Sequence, residues 1–389
     1  MRIAILGTRG IPNAYGGFEQ FAEYLSLGLV QQGLDVTVYN SHTHPYKESA
    51  WNNVKIVHCY DPEIHVGTVG QFIYDLNCIL DCRKKDFDII LQLGYTSSSV
   101  WLRLLDKRRL VVTTNMDGFE WKRSKYSKSV QKFLKFAEML AVKGSTHLIA
   151  DSTAIQRYLK EKYQVNSTYI PYGAEPFYHA SESVLNEYHL KPYEYNVLIA
   201  RLEPENSIEI ILDGVSGSDA TETMVVIGNC ETKYGAYLKK KYQKKGNIQF
   251  LSGIYDINKL NNIRYFSRLY FHGHTVGGTN PSLLEAMASQ ALICAHNNEF
   301  NAAILGDDAY YFNSASDVTQ LCNSIIRGEK VNRSMISNNL KKIQTKYTWP
   351  TIVQQYISHF HSAARSLRAA GENRDVKVMA KDPGNLLSR

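Results

Sequence analysis

The chain has 389 residues, more than one hydrophobic core usually organises, so two domains are expected. Its 44% hydrophobic and 21% charged content is that of a globular protein and excludes a low-complexity chain. No run approaches the roughly 20 apolar residues of a membrane-spanning helix. Net charge is +7, from 44 Lys and Arg against 37 Asp and Glu. The excess is concentrated between Arg103 and Lys135, where ten basic residues face only Asp106, Asp117 and Glu120. Such a stretch suits nucleic acid, an anionic membrane or a phosphorylated substrate, or is a set of solvated helix faces. The opening MRIAILG is too short an apolar run for a signal peptide. The six cysteines are scattered, and no second pair completes the Cys78/Cys82 spacing into a zinc set. Reduced thiols in a cytoplasmic protein are expected.

RIAIL (2–6) reads as a buried parallel strand. It is followed by a glycine loop, GTRGIPNAYGG (7–17), and an amphipathic helix over 18–33, before a second strand at DVTVYN (35–40). That is a βαβ unit. Further strands are expected at VKIVHC (54–59), DIILQL (88–93), RLVVTT (109–114) and THLIAD (146–151). The pattern restarts at NVLIAR (196–201) and continues through TMVVIG (223–228), NIQFL (247–251), RLYFHG (268–273) and ALICAH (291–296). Strands alternating with helices imply parallel sheets covered on both faces. Between the halves, 168–195 holds three prolines and little periodicity, which places the boundary near Pro171–Glu175.

Ligands of open parallel sheets collect beyond the carboxyl ends of the strands. The first glycine loop lies at such an end, but Gly7, Gly10, Gly16 and Gly17 do not have the G-x-G-x-x-G spacing, which disfavours a nicotinamide or flavin enzyme. Gly16 and Gly17 before a helix let a ligand approach backbone N–H groups, and Arg9 adds charge; the other reading is a tight turn with an exposed arginine. The second loop, GGTNPSLLEAM (277–287), offers Asn280 as N-cap and Pro281 as first helical residue. The helix N-terminus points toward Gly277, Gly278 and Thr279, where an anion such as a diphosphate fits, and Glu285 lies one turn in. The alternative is a capped helix with a merely exposed glutamate. Asp86-Phe87-Asp88 has a metal-motif spacing but stands at the start of a strand. His272 and His274 have no third ligand at a zinc spacing.

Taken together, GTRGIPNAYGGFEQ, DGFEWKRSKY, ARLEPEN, HTVGGTNPSLLEAM and YTWPTIVQQYISHF resemble the retaining glycosyltransferases of family 4, and the finer strings a subgroup rich in bacterial polysaccharide rhamnosyltransferases. The resemblance implies an α/β fold of two doubly wound, Rossmann-like domains facing across a cleft, the GT-B arrangement. Residues 1–171 would form an acceptor-side domain, 172–350 a nucleotide-sugar domain, 351–370 a helix crossing back to the first domain, and 371–389 a poorly ordered polar tail. It implies a nucleotide-diphosphate sugar donor, dTDP-L-rhamnose first, and a polysaccharide or lipid-diphosphate-linked acceptor, with no cofactor, metal or nucleic acid.

Position by position, Glu285 matches the second glutamate of the family's E-x7-E motif, which binds the nucleotide ribose. The first glutamate is replaced by Gly277, whose role would pass to the Gly278 and Thr279 amides. Arg201 matches the arginine on the donor diphosphate. The usual lysine five positions on is Asn206, a loss that Arg9, Arg264 or Arg268 would offset. Gly16 and Gly17 match the loop touching the phosphates from the first domain. Asp117 lies nearest the position of a family histidine, and His274 is expected beside the donor; with Arg201 these form the expected catalytic set. Peripheral contact with the inner membrane face is expected from the basic stretch and its Trp101, Phe119, Trp121 and Tyr126. Two alternatives stand: a sugar-nucleotide binding protein without turnover, and a GT-B-fold sugar-nucleotide epimerase.

Overall fold

The computed structural model describes residues 1–381, with side chains to 369. In the first half, β1 (Arg2–Leu6), α1 (Gly17–Gln31), β2 (Asp35–Ser41), β3 (Ala50–Trp51), β4 (Val54–Cys59), α2 (Glu63–Val66), α3 (Gly70–Cys82) and β5 (Ile89–Leu93) follow in order. They continue with β6 (Val111–Asn115), α4 (Lys128–Gly144), β7 (His147–Ala150), α5 (Thr153–Tyr163) and β8 (Thr168–Tyr169). The second half begins with β9 (Tyr195–Ile199), α6 (Ile208–Ser216), β10 (Thr223–Ile227), α7 (Lys233–Tyr242), β11 (Ile248–Leu251), α8 (Ile257–Tyr265) and β12 (Tyr270–His272). It closes with α9 (Pro281–Ala288), β13 (Ile293–His296), α10 (Glu299–Leu305), β14 (Tyr310–Phe312), α11 (Ala315–Ser324), α12 (Lys330–Lys342) and α13 (Trp349–Lys381).

These strands form two sheets, ordered β3-β4-β2-β1-β5-β6-β7-β8 and β11-β10-β9-β12-β13-β14. Every pairing is parallel except β3 with β4 at the first sheet's edge. The expected α/β architecture of two doubly wound sheets is the one the chain adopts. Strands β5 and β6 are buried along their whole length, which is why they read as continuous rather than alternating apolar runs. Strand β12 is shorter than the run RLYFHG, and β8 and β14 were not expected. Two or three residues carry no periodic signal, and β8 falls inside the stretch read as linker.

In each sheet the first strand ends up in the interior. β1 lies between β2 and β5, and β9 between β10 and β12. The chain reverses its direction of winding there, and a crevice opens beyond the carboxyl ends of those strand pairs.

Helix α13 returns from the second half to the first. Trp349 stacks flat on Tyr24 of α1, ring centroids 4.7 Å apart, and a Cβ on Gly173 would meet its indole at 2.6 Å. Further along, Tyr356 packs on Phe21, and His359 shares hydrogen bonds with Thr113 (2.9 Å) and Thr168 (3.0 Å). The helix runs past the expected end at 370 and takes in the first part of the expected tail; 382–389 lie outside the described residues. Trp349→Ala removes a nearly buried indole. A stability loss of about 3–5 kcal/mol is expected, read as a lowered urea midpoint.

Candidate functional site

The carboxyl ends of the two sheets meet, and the loops expected to carry function touch there. A Cβ at Gly17 would stand 3.9 Å from the Pro281 ring, and one at Gly118 would press on Gly277 Cα at 2.6 Å. Helix α9 is capped as its sequence dictates: the Asn280 side chain accepts from the Ser282 N–H at 2.9 Å, with Pro281 in the first turn.

The N–H group of Thr279, ahead of that cap, is already engaged. It donates to Asp151 Oδ2 at 3.1 Å, and the Thr279 hydroxyl donates to the Asp151 carbonyl. Asp151 stands just beyond β7, has no exposed surface, and its Oδ1 has no partner among the described residues. A Cβ on Gly278 would collide with this carboxylate, so only glycine lets the loop pass. Burial raises the Asp151 pKa well above the carboxylate range, and the negative charge of Asp117 adds to it. Asp117, in the left-handed region at φ 45°, is pushed up to about 6, by burial first and then by Glu120.

Glu285 is also held. Its Oε1 accepts from Gln20 Nε2 of α1 at 3.0 Å and its Oε2 from Arg264 at 2.5 Å, so one carboxylate joins the two halves. Arg264 is buried and committed to that bond, and Arg268 pairs with Glu222 at 3.0 Å. Neither reaches the loop as a spare cation. Arg9 forms a two-pronged pair with Glu63, at 2.7 and 3.1 Å, and stacks over Tyr15. The Arg9 N–H is taken by the buried Glu19 at 2.8 Å. Asn206 donates to the Arg201 carbonyl at 2.7 Å and so shapes the loop rather than supplying charge.

Arg201 is different. It is exposed just beyond β9 and, among the described residues, its guanidinium forms no ion pair or hydrogen bond. It lies close enough to Asp117 and His274 to lower the pKa of both. His274 is held neutral by burial first, then by His272, Arg201 and Arg123, and its ring stacks on that of His272 at 4.5 Å. Gly16 and Gly17 begin α1 opposite α9, without a side-chain cap. Asp86 pairs with Arg2 and Arg109, and Asp88 accepts from the Arg2 N–H, at the far end of the sheet.

A family model described as a domain of unknown function (DUF1972) matches residues 1–175. No curated protein sequence matches the chain significantly. Among solved structures, the chain is similar to sucrose-phosphate synthase from Thermosynechococcus elongatus, with a TM-score of 0.78 at 15% identity over 95% of this chain and 99% of that one. It is similar to the Anabaena protein HepE in complex with UDP and glucose, with a TM-score of 0.71 at 16% identity, covering 93% of this chain and all of the other. An α,α-trehalose-phosphate synthase from Burkholderia vietnamiensis gives 0.69 at 14% identity over 94% and 98%. The fold is the GT-B fold.

Within this GT-B frame, contacts bring Gly17 to Pro281, Gly118 to Gly277, Gly278 and Thr279 to Asp151, Arg201 near Asp117 and His274, and Glu285 to Gln20 and Arg264, while Arg9 is turned to Glu63. Sequence reading missed Asp151, Gln20 and the pair Arg123–Glu205, whose Ser124 neighbour also donates to Glu205 at 3.2 Å across the halves. Asp151 did carry a signal: a carboxylate directly after a parallel strand. Gln20 carried none, because its partner is 265 residues away.

Two outcomes follow from this geometry. Glu285→Ala leaves the buried Arg264 unpaired, so it should lower stability by about 3–5 kcal/mol, whereas Glu285→Gln keeps an acceptor and should lose far less; denaturant midpoints of both decide it. A carboxyl whose folded pKa is raised stabilises the fold while protonated, and that contribution is lost as pH rises past the carboxylate range. Asp151→Asn should therefore raise the melting temperature over wild type, by a margin that grows from pH 4 to pH 8 (about the range in which buried carboxylates titrate). A margin independent of pH would refute it.

Proposed function

We propose that the chain is a glycosyltransferase that uses a nucleotide-diphosphate sugar, with residues 1–171 on the acceptor side and 172–350 on the donor side. The observation that carries this reading is Arg201, exposed just beyond β9, near Asp117 and His274 and, among the described residues, without an ion pair or hydrogen bond. The loop before α9 carries Gly277 and Gly278, and its Thr279 N–H, now held by Asp151, would have to exchange that partner for a ligand oxygen. A diphosphate leaving group accumulates negative charge as its bond to the sugar breaks, and a fixed cation with a helix N-terminus stabilises that charge without a metal. Glu285, released from Gln20 while still bound to Arg264, would accept hydrogen bonds from the ribose hydroxyls.

The finer reading follows the resemblance to family 4. The sugar, L-rhamnose from dTDP-rhamnose by preference, goes to a polysaccharide or lipid-linked acceptor with retention. The C1–O bond to phosphate breaks, the C1–O bond to the acceptor forms on the same face, and the acceptor's proton passes to the departing diphosphate oxygen. No enzyme nucleophile is required. Asp117 and His274 line the sugar end, where Gly277 has no carboxylate to offer. Neutral His274 serves as a hydrogen-bond partner rather than a charge.

Melting temperatures with UDP, GDP and dTDP test donor binding. The preferred nucleotide at about a hundred times its Kd should stabilise the fold by about 2.7 kcal/mol. Release of free sugar from the matching donor would then show turnover, whereas tight binding without release would favour the binding-protein alternative. Arg201→Ala should lower turnover about 10²–10³-fold with an unchanged melting temperature, because its side chain supports no packing.

A further inference from the structure

One residue of the basic stretch is turned to the other half of the chain. Beyond β6, the backbone passes Asp117 and Gly118 into a single helical turn, Glu120–Lys122, that leads to Arg123. The turn is fixed on its own side. The Glu120 N–H donates to the Gly118 carbonyl at 2.9 Å, and the Gln131 side chain of α4 donates to the Arg123 carbonyl at 3.1 Å.

The loops it meets are tied to each other on the second half. Glu205 lies in the turn after β9, and its carbonyl accepts from the Thr275 N–H at 3.1 Å and the Thr275 hydroxyl at 2.8 Å. Thr275 stands between His274 and the two glycines that precede α9. Arg123, by facing Glu205, faces the loops that carry Arg201 and His274. Arg123 and Arg201 both act on Asp117 and on His274, each favouring the less protonated form.

The Arg123 guanidinium is only partly used. Its Nε donates to Glu120 Oε1 at 2.7 Å, and its Nη2 stands at 2.7 Å from the same oxygen. Nη1 faces Glu205 Oε1 at 3.7 Å, beyond hydrogen-bond reach. Glu205 is bound instead through its other oxygen, by the Ser124 hydroxyl at 3.2 Å. Among the described residues, the Nη1 N–H groups therefore have no acceptor, in a side chain only 15% exposed. Glu120 already fixes the plane of the group, so a further hydrogen bond costs little side-chain entropy. A phosphate oxygen is an acceptor that matches both its charge and its planar fork.

The geometry points to Arg123 as a donor-binding residue supplied by the first half, its Nη1 taking an oxygen of the distal phosphate of a nucleotide diphosphate held by the second half. This rests on the donor reading above, which puts Asp117 and His274, the neighbours of Arg123, at the sugar end. Arg201 and Arg123 then grip the leaving group from opposite halves. Because Glu120 already balances its charge, Arg123 adds direction rather than net potential.

Calorimetric binding of UDP, GDP and dTDP, and of UMP, GMP and dTMP, tests it. For the preferred base, Arg123→Gln should weaken the diphosphate about tenfold or more and leave the monophosphate, which lacks the distal phosphate, at wild-type affinity. Ser124→Ala removes the other bond from this turn to Glu205 and should leave both nucleotides unchanged. Melting temperatures check folding. If Arg123→Gln does not fold, Arg123→Lys replaces it, since an ammonium keeps a charge beside Glu120 but has no second edge for the phosphate. Wild-type diphosphate affinity in the Arg123 variant, or equal weakening of the two nucleotides, would overturn the proposal. So would a matching loss in Ser124→Ala, since the turn would then serve only to hold the halves together. If none of the three diphosphates binds the wild type, the donor reading falls and this proposal with it. If one binds and the Arg123 variant changes nothing, only this proposal falls.

Discussion

The crossing of α13 onto α1 is the contact on which the cleft depends. A chain of two doubly wound halves could leave its two crevices facing any direction. Here Trp349 is clamped between Tyr24 and the backbone at Gly173, and the helix then lies along Phe21 and Thr113 of the first half. With the first part of that helix seated on α1, the starts of α1 and α9 come together, a Cβ at Gly17 standing 3.9 Å from the Pro281 ring. Every bond across the cleft, from Gln20–Glu285 to Asp151–Thr279, follows from that placement.

The proposed donor site is rich in carboxylates. Glu19, Asp117, Glu120, Asp151, Glu205 and Glu285 all stand in or beside it. Most are answered locally: Glu120 and Glu205 by Arg123, Glu285 by Arg264, Glu19 by the Arg9 amide. Asp151 has only the Thr279 amide and Asp117 no ion pair among the described residues, and burial holds both toward the neutral form. Among the described residues, Arg201 is thereby left beside Asp117 and His274 as a cation with no ion pair or hydrogen bond. A site of this kind concentrates its positive potential at a single point instead of spreading it over a basic pocket.

Much of this was legible in the sequence because it is local. Runs such as RIAIL and TMVVIG declare buried strands, and Asn280-Pro281 declares a helix start whatever lies around it. The interest in Glu285 and Arg201 came from motif resemblance; the structure shows Glu285 bridging Gln20 and Arg264, and Arg201 near Asp117 and His274. The assignments of Arg9, Arg264 and Arg268 as spare cations rested on charge alone. Their partners, Glu63, Glu285 and Glu222, are distant in sequence or on another element, so nothing in a linear reading marks them as already engaged. The basic stretch shows the same limit. Its aromatics looked available for lipid, yet Glu138 and the Phe72 carbonyl had claimed their N–H groups.

The Asp151 carboxylate at the Thr279 amide has a consequence for selectivity. An anion-binding loop in a cell meets inorganic phosphate and many small metabolites. When the loop's amide already holds a tethered carboxylate, an incoming monoanion must replace a neighbour that never diffuses away, and it gains little by doing so. A larger ligand that also reaches Arg201 and Glu285 brings several new contacts for the one it breaks. On the proposed reading, an internal acceptor at this amide would favour ligands that grasp several points at once.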